Sequence, residues 1–162
     1  MVDRPVNEFE EYDPSRAGSM EHLLLQGDLA ARIQRILESA YPKEGCGVLL
    51  GRVEGNRREV IRAVSSKNRW DERSDRYLVD PELVHRLMRT EDEDGLSIVG
   101  FYHSHPDADP VPSATDRELA WPWYHYVIWP VRRGVAGHPR AWRLAEARFF
   151  EIDLRASSPC LD

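Results

Sequence analysis

The sequence predicts an α/β chain of the α+β type, in which a mixed and mostly antiparallel sheet is flanked by helices. Apolar residues recur every three or four positions over 29–40, which predicts a helix with one buried face. Apolar segments at 44–51 and 58–66 enclose the turn residues 54–56, which predicts two strands joined by a hairpin. A nearly unbroken apolar stretch opens the segment 96–106, which predicts a buried central strand.

Local start and stop signals predict the other elements of the first half of the chain. The apolar run 20–26 is expected to form a first strand. Asp28 is expected to cap the helix that follows, and Pro42 ends the apolar pattern of that helix. A short strand is expected at 76–79. Asp80 is expected to cap a second helix, because an aspartate before a proline favours helix initiation.

The second half of the chain carries weaker signals. The second helix is expected to end at the acidic run 91–94. A short third helix is expected to open at Ser113 and to continue through 121–123 almost directly into a strand. Further strand segments are predicted at 125–131, 140–150 and 151–154. The order of helices and strands is mixed, so the expected arrangement is an α/β sandwich.

The length of 162 residues suits one globular domain. Residues 1–19 are rich in acids and lack apolar periodicity, so we expect a flexible N-terminal leader. The domain itself is expected to span 20–154, with 155–162 as a C-terminal tail.

Charge and composition exclude several classes of partner. The net charge of -6 argues against broad attraction to nucleic acid or to an anionic membrane surface. Two cysteines, Cys46 and Cys160, are too few for a disulfide scaffold. No stretch approaches the ~20 apolar residues that span a bilayer, and the N-terminal residues lack the apolar core of a signal peptide. A cytoplasmic protein is expected.

Two histidines, His103 and His105, end the predicted central strand. Alternate side chains of a strand share one face, so both imidazoles can point at the same spot while Ser104 points away. A catalytic zinc takes three protein ligands and keeps one position for water. Asp116 is the candidate third ligand, because three prolines within 106–115 stiffen the loop that leads to it.

Hydrolysis at such a metal also needs a base that takes the proton of the attacking water. Glu44 is the candidate base, because it lies in the turn between the first long helix and the next strand, where it could reach the histidine-bearing strand. Ser113 is the candidate donor of a hydrogen bond to the developing oxyanion.

Each of these residues also has a purely structural interpretation. Histidines at a strand end often do no more than meet solvent. Ser113 and Asp116 match a helix capping box, and Glu44 alone would be a surface acid. Cys46 is expected to be a small buried hydrophobic residue rather than a ligand or a nucleophile.

Other histidines and aromatic residues carry less information. Four histidines lack a comparable spacing and are interpreted as ordinary: His22, His85, His125 and His138. Four aromatic residues could suggest a stacking surface for single-stranded nucleic acid: Trp121, Trp123, Tyr124 and Trp129. The acidic balance favours core packing or a peptide groove for them instead.

Taken jointly, the candidate residues carry a specific resemblance. Glu44, the His-Ser-His sequence at 103–105, Ser113 and Asp116 together resemble the JAMM signature of the MPN-domain metallopeptidases. The likeness also covers the framework around Tyr41-Pro42 and the strand at 98–106, and extends over roughly residues 20–154. It implies one zinc ion per chain at the edge of a mixed sheet in a single MPN-like domain.

The resemblance also implies a role for each residue of the signature. His103, His105 and Asp116 would be the zinc ligands, Glu44 the general base and Ser113 the stabiliser of the tetrahedral intermediate. The segment after Ser113 leaves little room for the inserted segments with which deubiquitinating relatives grip ubiquitin. The chain is therefore similar to the compact bacterial and archaeal members, some of which act on ubiquitin-like sulfur-carrier proteins or their conjugates.

The expected function is zinc-dependent hydrolysis of a peptide or isopeptide bond, after the C-terminal Gly-Gly of a ubiquitin-like or sulfur-carrier protein. Two alternatives stay open. The chain could be a non-catalytic scaffold of the MPN type, in which case a fourth protein ligand would close the metal site. It could also be a metal-dependent amidohydrolase of small molecules, although the barrel usual for that class takes about 250 residues.

Overall fold

The computed structural model of the protein describes residues 9–10, 21–70, 76–90 and 95–157. The helices are α1 (Gly27–Ala40), α2 (Pro81–Arg89) and α3 (Ala114–Leu119). The strands are β1 (Phe9–Glu10), β2 (His22–Gln26), β3 (Cys46–Glu54), β4 (Arg57–Ser66), β5 (Ser97–Pro106), β6 (His125–Arg132), β7 (Val135–Ala136), β8 (Arg140–Ala145) and β9 (Arg148–Ser157). Among the described helices, none is long and apolar enough to cross a membrane.

The strands form one mixed sheet, which confirms the predicted α+β content. Neighbouring strands follow the order β1, β9, β2, β4, β3, β5, β6 and β7, and β8 joins β6 to β9. This last connection closes the sheet on itself like a barrel, so the predicted α/β sandwich, with a sheet flanked by helices, is correct in its mixed sheet and wrong in its arrangement. Closure depends on the ten residues of β9, which are enough to pair with β1, β2 and β8.

Each face of the sheet carries its own apolar layer. On one face, Ile33 and Leu37 of α1 pack into a cluster that contains the fully buried Trp129. On the other face, Leu83 and Leu87 of α2 pack into a second cluster. Because side chains alternate along β5, the histidines that end this strand lie on the face that α2 covers.

The start of α1 differs from the prediction. The helix begins at Gly27, and its N-cap is Gln26, whose side chain makes no capping hydrogen bond. Asp28 is therefore not the cap. It lies in the first turn, where a carboxylate interacts favourably with the positive end of the helix dipole. The chain enters the helix directly from β2, which β4 and β9 hold on both sides.

The predicted short strand at 76–79 is also wrong. Among the described residues, 76–78 have no strand partner, and Val79 makes a single antiparallel bridge with Asn68. The side-chain amide of Asn68 takes the place of a strand neighbour, since it bonds the backbone of Arg76 and of Leu78.

The predicted second helix is confirmed. α2 begins at Pro81, and the carboxylate of Asp80 accepts a hydrogen bond from the backbone N–H of Glu82 at 3.1 Å. The acidic run 91–94, which was expected to end this helix, lies outside the described residues.

The segment after α3 differs in detail from the expected continuous helix. α3 ends at Leu119, and the chain makes a turn over 121–124 before β6 begins. The segment 140–154, which was predicted to form strands, contains the hairpin β8–β9. A tight turn at Glu146 and Ala147, both at positive φ, separates the two strands. Two residues of the predicted leader form β1, and β9 continues to Ser157, past the predicted end of the domain.

β5 and β6 approach each other closely at Gly100. A Cβ atom at this position would lie 2.2 Å from the backbone oxygen of His125. On the other side of β5 the register with β3 shifts, because Leu49 pairs with Gly100 while Leu50 pairs with Ile98. Glycine therefore allows β6 to lie against the strand that carries the two candidate histidines.

Gly100→Ala is expected to lower the free energy of unfolding by about 1–3 kcal/mol, because the added methyl group must push β6 away from β5. Gly27→Ala is the matched control, since a Cβ atom there meets nothing within 4 Å. Urea unfolding followed by tryptophan fluorescence measures both variants. A Gly100→Ala variant that unfolds at the same urea concentration as the control would contradict the close approach.

Candidate metal centre

His103 and His105 lie two residues apart at the end of β5, so the pleat of the strand places their side chains on the same side of the sheet. Both are buried, with 0% and 7% of their surface exposed. Ser104, between them, faces the other way and is also buried. Its hydroxyl accepts a hydrogen bond from the backbone N–H of Gly45 at 2.9 Å, and its own N–H donates to the Gly45 carbonyl at 3.0 Å. Ser104 therefore fastens the loop that carries Glu44 to the histidine-bearing strand.

Asp116 reaches the same place from the first turn of α3. The N–H of Ser113 donates to its Oδ2 atom at 2.9 Å, and the N–H of Asp116 donates to the Ser113 hydroxyl at 3.1 Å. These two bonds form the capping box that the sequence suggested as the structural interpretation. The capping box and the candidate site thus use the same carboxylate, and the helix cap fixes its position.

The three side chains converge on one point. His103 Nε2 lies 3.2 Å from Asp116 Oδ1, and His105 Nε2 lies 3.1 Å from Asp116 Oδ2. The two Nε2 atoms lie 3.1 Å apart. Ligand atoms around a tetrahedral zinc, each at roughly 2.0–2.1 Å from the ion, would be about 3.3 Å apart. These three residues could therefore hold a metal ion with little movement.

The tautomer of His105 suits metal binding. Its Nδ1 atom lies 2.8 Å from the backbone oxygen of Asp109, which can only accept, so the ring proton is on Nδ1. In the neutral ring this leaves the lone pair of Nε2 facing Asp116 and His103. Asp109 itself lies on the loop between β5 and α3, where its carboxylate pairs with Arg132.

We call His103, His105 and Asp116 the triad. Burial and the interactions among these three side chains shift their pKa values in different directions. Burial lowers the pKa of His103 and outweighs the charge of Asp116. Burial also acts to lower the pKa of His105, but the hydrogen bond to Asp116 and its charge outweigh it, so that pKa is raised. Although burial opposes ionisation of Asp116, the two histidines hold its pKa well below the usual value. The site therefore keeps an ionised carboxylate inside the protein.

Glu44 lies in the loop between α1 and β3, as predicted, and is only 7% exposed. It is therefore not the surface acid of the structural interpretation. Its backbone oxygen accepts a hydrogen bond from the Asn68 amide at 3.1 Å. Its negative charge is the smallest of the contributions that raise the pKa of His105. Ser113, by contrast, is exposed at the rim, next to Asp116.

Cys46 is the small buried residue that the sequence predicted. It is 1% exposed, and burial raises the pKa of its thiol to about 12. A protonated thiol is neither a nucleophile nor a metal ligand.

Among the other histidines, the interpretation as ordinary residues misses the burial of His125, which is 1% exposed and lies 2.7 Å from the Glu21 carboxylate.

The aromatic residues divide into two groups. Tyr124 and Trp129 belong to the core, as predicted, whereas Trp121 and Trp123 are each 62% exposed.

An apolar groove of about 340 Å³ runs along α2. Tyr77 forms part of its lining and also stacks on the His103 ring. Aromatic and aliphatic side chains from four segments form most of its walls, among them Val84, Met88, Phe101, Trp121 and Tyr126.

Sequence comparison relates the chain to known peptidases. It is 47% identical over 88 residues to a desampylase of Haloferax volcanii, and this match covers 54% of the chain and 62% of the relative. It is 36% identical over 81 residues to a probable TtuB-protein conjugate cleaving protease of Thermus thermophilus, covering 49% and 51%. The chain thus spans about three fifths and about half of the lengths of these two relatives. A CysO-cysteine peptidase of Mycobacterium tuberculosis is 32% identical over 139 residues, covering 84% of the chain and 92% of the relative.

Solved structures share the fold. A solution structure of a Desulfitobacterium hafniense protein superposes with a TM-score of 0.74 at 24% identity, covering 85% of this chain and 93% of the other. Residues 27–145, which include the triad and Glu44, match the family described as prokaryotic homologs of the JAB domain. With 119 of its 162 residues inside this match, the chain belongs to the family of prokaryotic JAB-domain proteins.

Proposed function

We propose that the protein is a zinc-dependent hydrolase that cleaves a peptide or isopeptide bond after the C-terminal Gly-Gly of a ubiquitin-like or sulfur-carrier protein. The observation that carries the proposal is the convergence of three buried side chains: the two histidine Nε2 atoms lie 3.1 Å apart, and each lies 3.1–3.2 Å from an oxygen of Asp116. His103, His105 and Asp116 are the proposed ligands. The cytoplasm is the proposed location, since it keeps a free thiol such as Cys46 reduced.

The number of ligands supports catalysis over a structural role. Two imidazoles and one carboxylate make three protein ligands, which leaves one position of a tetrahedral zinc open. Within the described part of the chain, the candidate metal-binding group contains no fourth histidine, cysteine or acid. The scaffold alternative would need such a fourth ligand, or the loss of one of the three.

A zinc ion held by His103, His105 and Asp116 would supply Lewis-acid chemistry to the attacking water and the scissile carbonyl. Glu44 accepts a proton from the attacking water and returns it to the leaving amine. A general base must lie within hydrogen-bond reach of the proton that it takes, and Glu44 is held in the loop that Ser104 bonds to β5.

Ser113 is proposed to donate a hydrogen bond to the oxyanion that forms at the scissile carbonyl. Its oxygen already accepts a bond from the N–H of Asp116, so the hydroxyl hydrogen can point towards an incoming substrate. His105 is held in its ligating orientation by the carbonyl of Asp109. This contact is the outer hydrogen bond that metal-binding histidines usually make.

The proposed substrate follows from the relatives and from the groove. The three relatives are named as a desampylase, a probable TtuB-protein conjugate cleaving protease and a CysO-cysteine peptidase. In this chain the apolar groove beside Tyr77 offers a path for an extended C-terminal tail. Glycines at the end of that tail would let its backbone approach the metal without a Cβ atom in the way.

Glu44→Gln keeps the shape of the side chain and removes the proton acceptor. We expect the rate of hydrolysis to fall by roughly 10²–10⁴, the range of general acid–base contributions. Zinc content should stay at the wild-type value, because Glu44 is not a proposed ligand. Glu82→Gln, an exposed acid in α2, is the matched control. Parallel loss of zinc and activity in Glu44→Gln would make Glu44 a ligand and contradict its role as base.

Substrate choice is tested with a bacterial sulfur-carrier protein that is extended by a few residues beyond its Gly-Gly. The zinc-loaded protein is expected to release the extension, so that mass spectrometry finds a carrier ending in Gly-Gly. Polyubiquitin chains of any linkage should be cut little, because the chain from α3 to β6 leaves no obvious platform for a second ubiquitin-like fold. Intact carrier, together with turnover of an unrelated small amide, would favour the amidohydrolase alternative.

A further inference from the structure

The two histidines of the candidate metal centre are oriented by different kinds of contact. His105 is held by the hydrogen bond from its Nδ1 to the Asp109 carbonyl. The Nδ1 atom of His103 is buried and has no hydrogen-bond partner among the described residues. Metal-binding histidines are normally oriented through this second nitrogen. On the Nδ1 side, the described residues therefore orient the His103 ring by contacts other than hydrogen bonds.

Tyr77 provides such a contact. Its ring stacks on the His103 imidazole with 4.1 Å between the ring centroids and 18° between their planes. Tyr77 is only 7% exposed, so its ring is itself held by its surroundings. A flat ring against the face of an imidazole allows the Nε2 atom to point at Asp116 and opposes rotation of the ring about its side-chain bonds.

The backbone around Tyr77 is held by one side chain, that of Asn68. Its Oδ1 atom accepts hydrogen bonds from the N–H groups of Trp70 and Leu78, each at 2.9 Å. Its Nδ2 atom donates to the carbonyl of Arg76 at 2.9 Å. Asn68 thus binds the residues on both sides of Tyr77, in a segment that has no strand of its own.

The fourth hydrogen bond of Asn68 reaches the other half of the site. Nδ2 also donates to the carbonyl of Glu44 at 3.1 Å. All the hydrogen-bonding positions of the amide are used, since it offers two donors and an oxygen with two lone pairs. One side chain therefore connects the loop of the proposed base with the segment that stacks on a proposed ligand.

We infer that Tyr77 is a positioning residue, whose ring holds His103 in its metal-binding orientation, and that Asn68 holds Tyr77 in place. The inference rests on the proposed metal site, and it concerns two residues that are not among the five signature residues Glu44, His103, His105, Ser113 and Asp116. It requires the aromatic ring of Tyr77 and not its hydroxyl group.

The test compares Tyr77→Leu with Tyr77→Phe by the affinity for zinc, measured in competition with a chromogenic chelator. Loss of the ring is expected to weaken zinc binding by about 10–100-fold, the usual effect of losing an outer contact of a ligand. Tyr77→Phe should bind zinc as the wild type does. The visible spectrum of the Co²⁺-substituted protein should change in Tyr77→Leu alone, because the geometry of the ligands changes.

Phe149→Leu controls for the general loss of a buried ring, since Phe149 is 1% exposed and packs against Tyr126. Zinc affinity is expected to stay unchanged in this variant. Equal affinity of wild type and Tyr77→Leu would overturn the inference, and equal weakening in Tyr77→Phe would assign the effect to the hydroxyl group. A wild-type protein that binds no zinc would instead refute the proposed function, so the two failures can be told apart.

The role of Asn68 is tested by a double-mutant cycle. Asn68→Ala should weaken zinc binding in the same direction as Tyr77→Leu. If Asn68 acts on the metal site through Tyr77, the double variant should bind zinc about as well as Tyr77→Leu alone. Additive losses, or unchanged affinity in Asn68→Ala, would show that Asn68 does not act through Tyr77.

Discussion

Two imidazoles and one carboxylate meet inside the protein at the end of β5. Because that carboxylate is buried and charged, the surrounding structure must supply polar partners for it. Asp116 is 6% exposed, and its pKa lies well below the usual value because of His103 and His105. A buried charge is stable only when polar partners compensate for the lost water. Here the partners are the two histidines and the N–H of Ser113, and a metal ion would complete the compensation.

Several parts of the fold hold the residues of the candidate metal centre in position. The closed sheet holds β5 between β3 and β6, and Gly100 permits the close approach of β6. Ser104 fastens the Glu44 loop to β5, and the capping box of α3 places Asp116. These contacts are ordinary structural features, but they also set the geometry of the site. A substitution that disrupts one of them is therefore expected to affect both the stability of the fold and the geometry of the site.

The sequence predicted correctly those elements of the fold that depend on local residue patterns. The helical face of α1, the β3–β4 hairpin, the strand ending in His103 and His105, and the cap at Asp80 all follow from periodicity or from short signals. The two contradictory interpretations of Ser113 and Asp116, as a capping box and as part of a site, are compatible in the structure because one carboxylate has two oxygens.

The sequence could not predict what depends on distant contacts. The closure of the sheet requires β9 to pair with strands far away in the chain, and no local pattern encodes that choice. The segment 76–79 has the composition of a strand, but the amide of Asn68 occupies the backbone groups that a strand partner would need. Asn68 and Tyr77 show no signal in the sequence, and the sequence does not indicate that Ser104 bonds the Glu44 loop, since these roles depend on which residues the three side chains contact.

The central claim is that three side chains hold one zinc ion, and metal analysis of the purified protein tests it most directly. After removal of metal and reconstitution with zinc, the wild type should contain about one ion per chain. His138→Ala, which removes an exposed histidine, should contain the same amount, whereas His105→Ala should lose most of it. Full zinc content and full hydrolytic activity in His105→Ala would contradict the account.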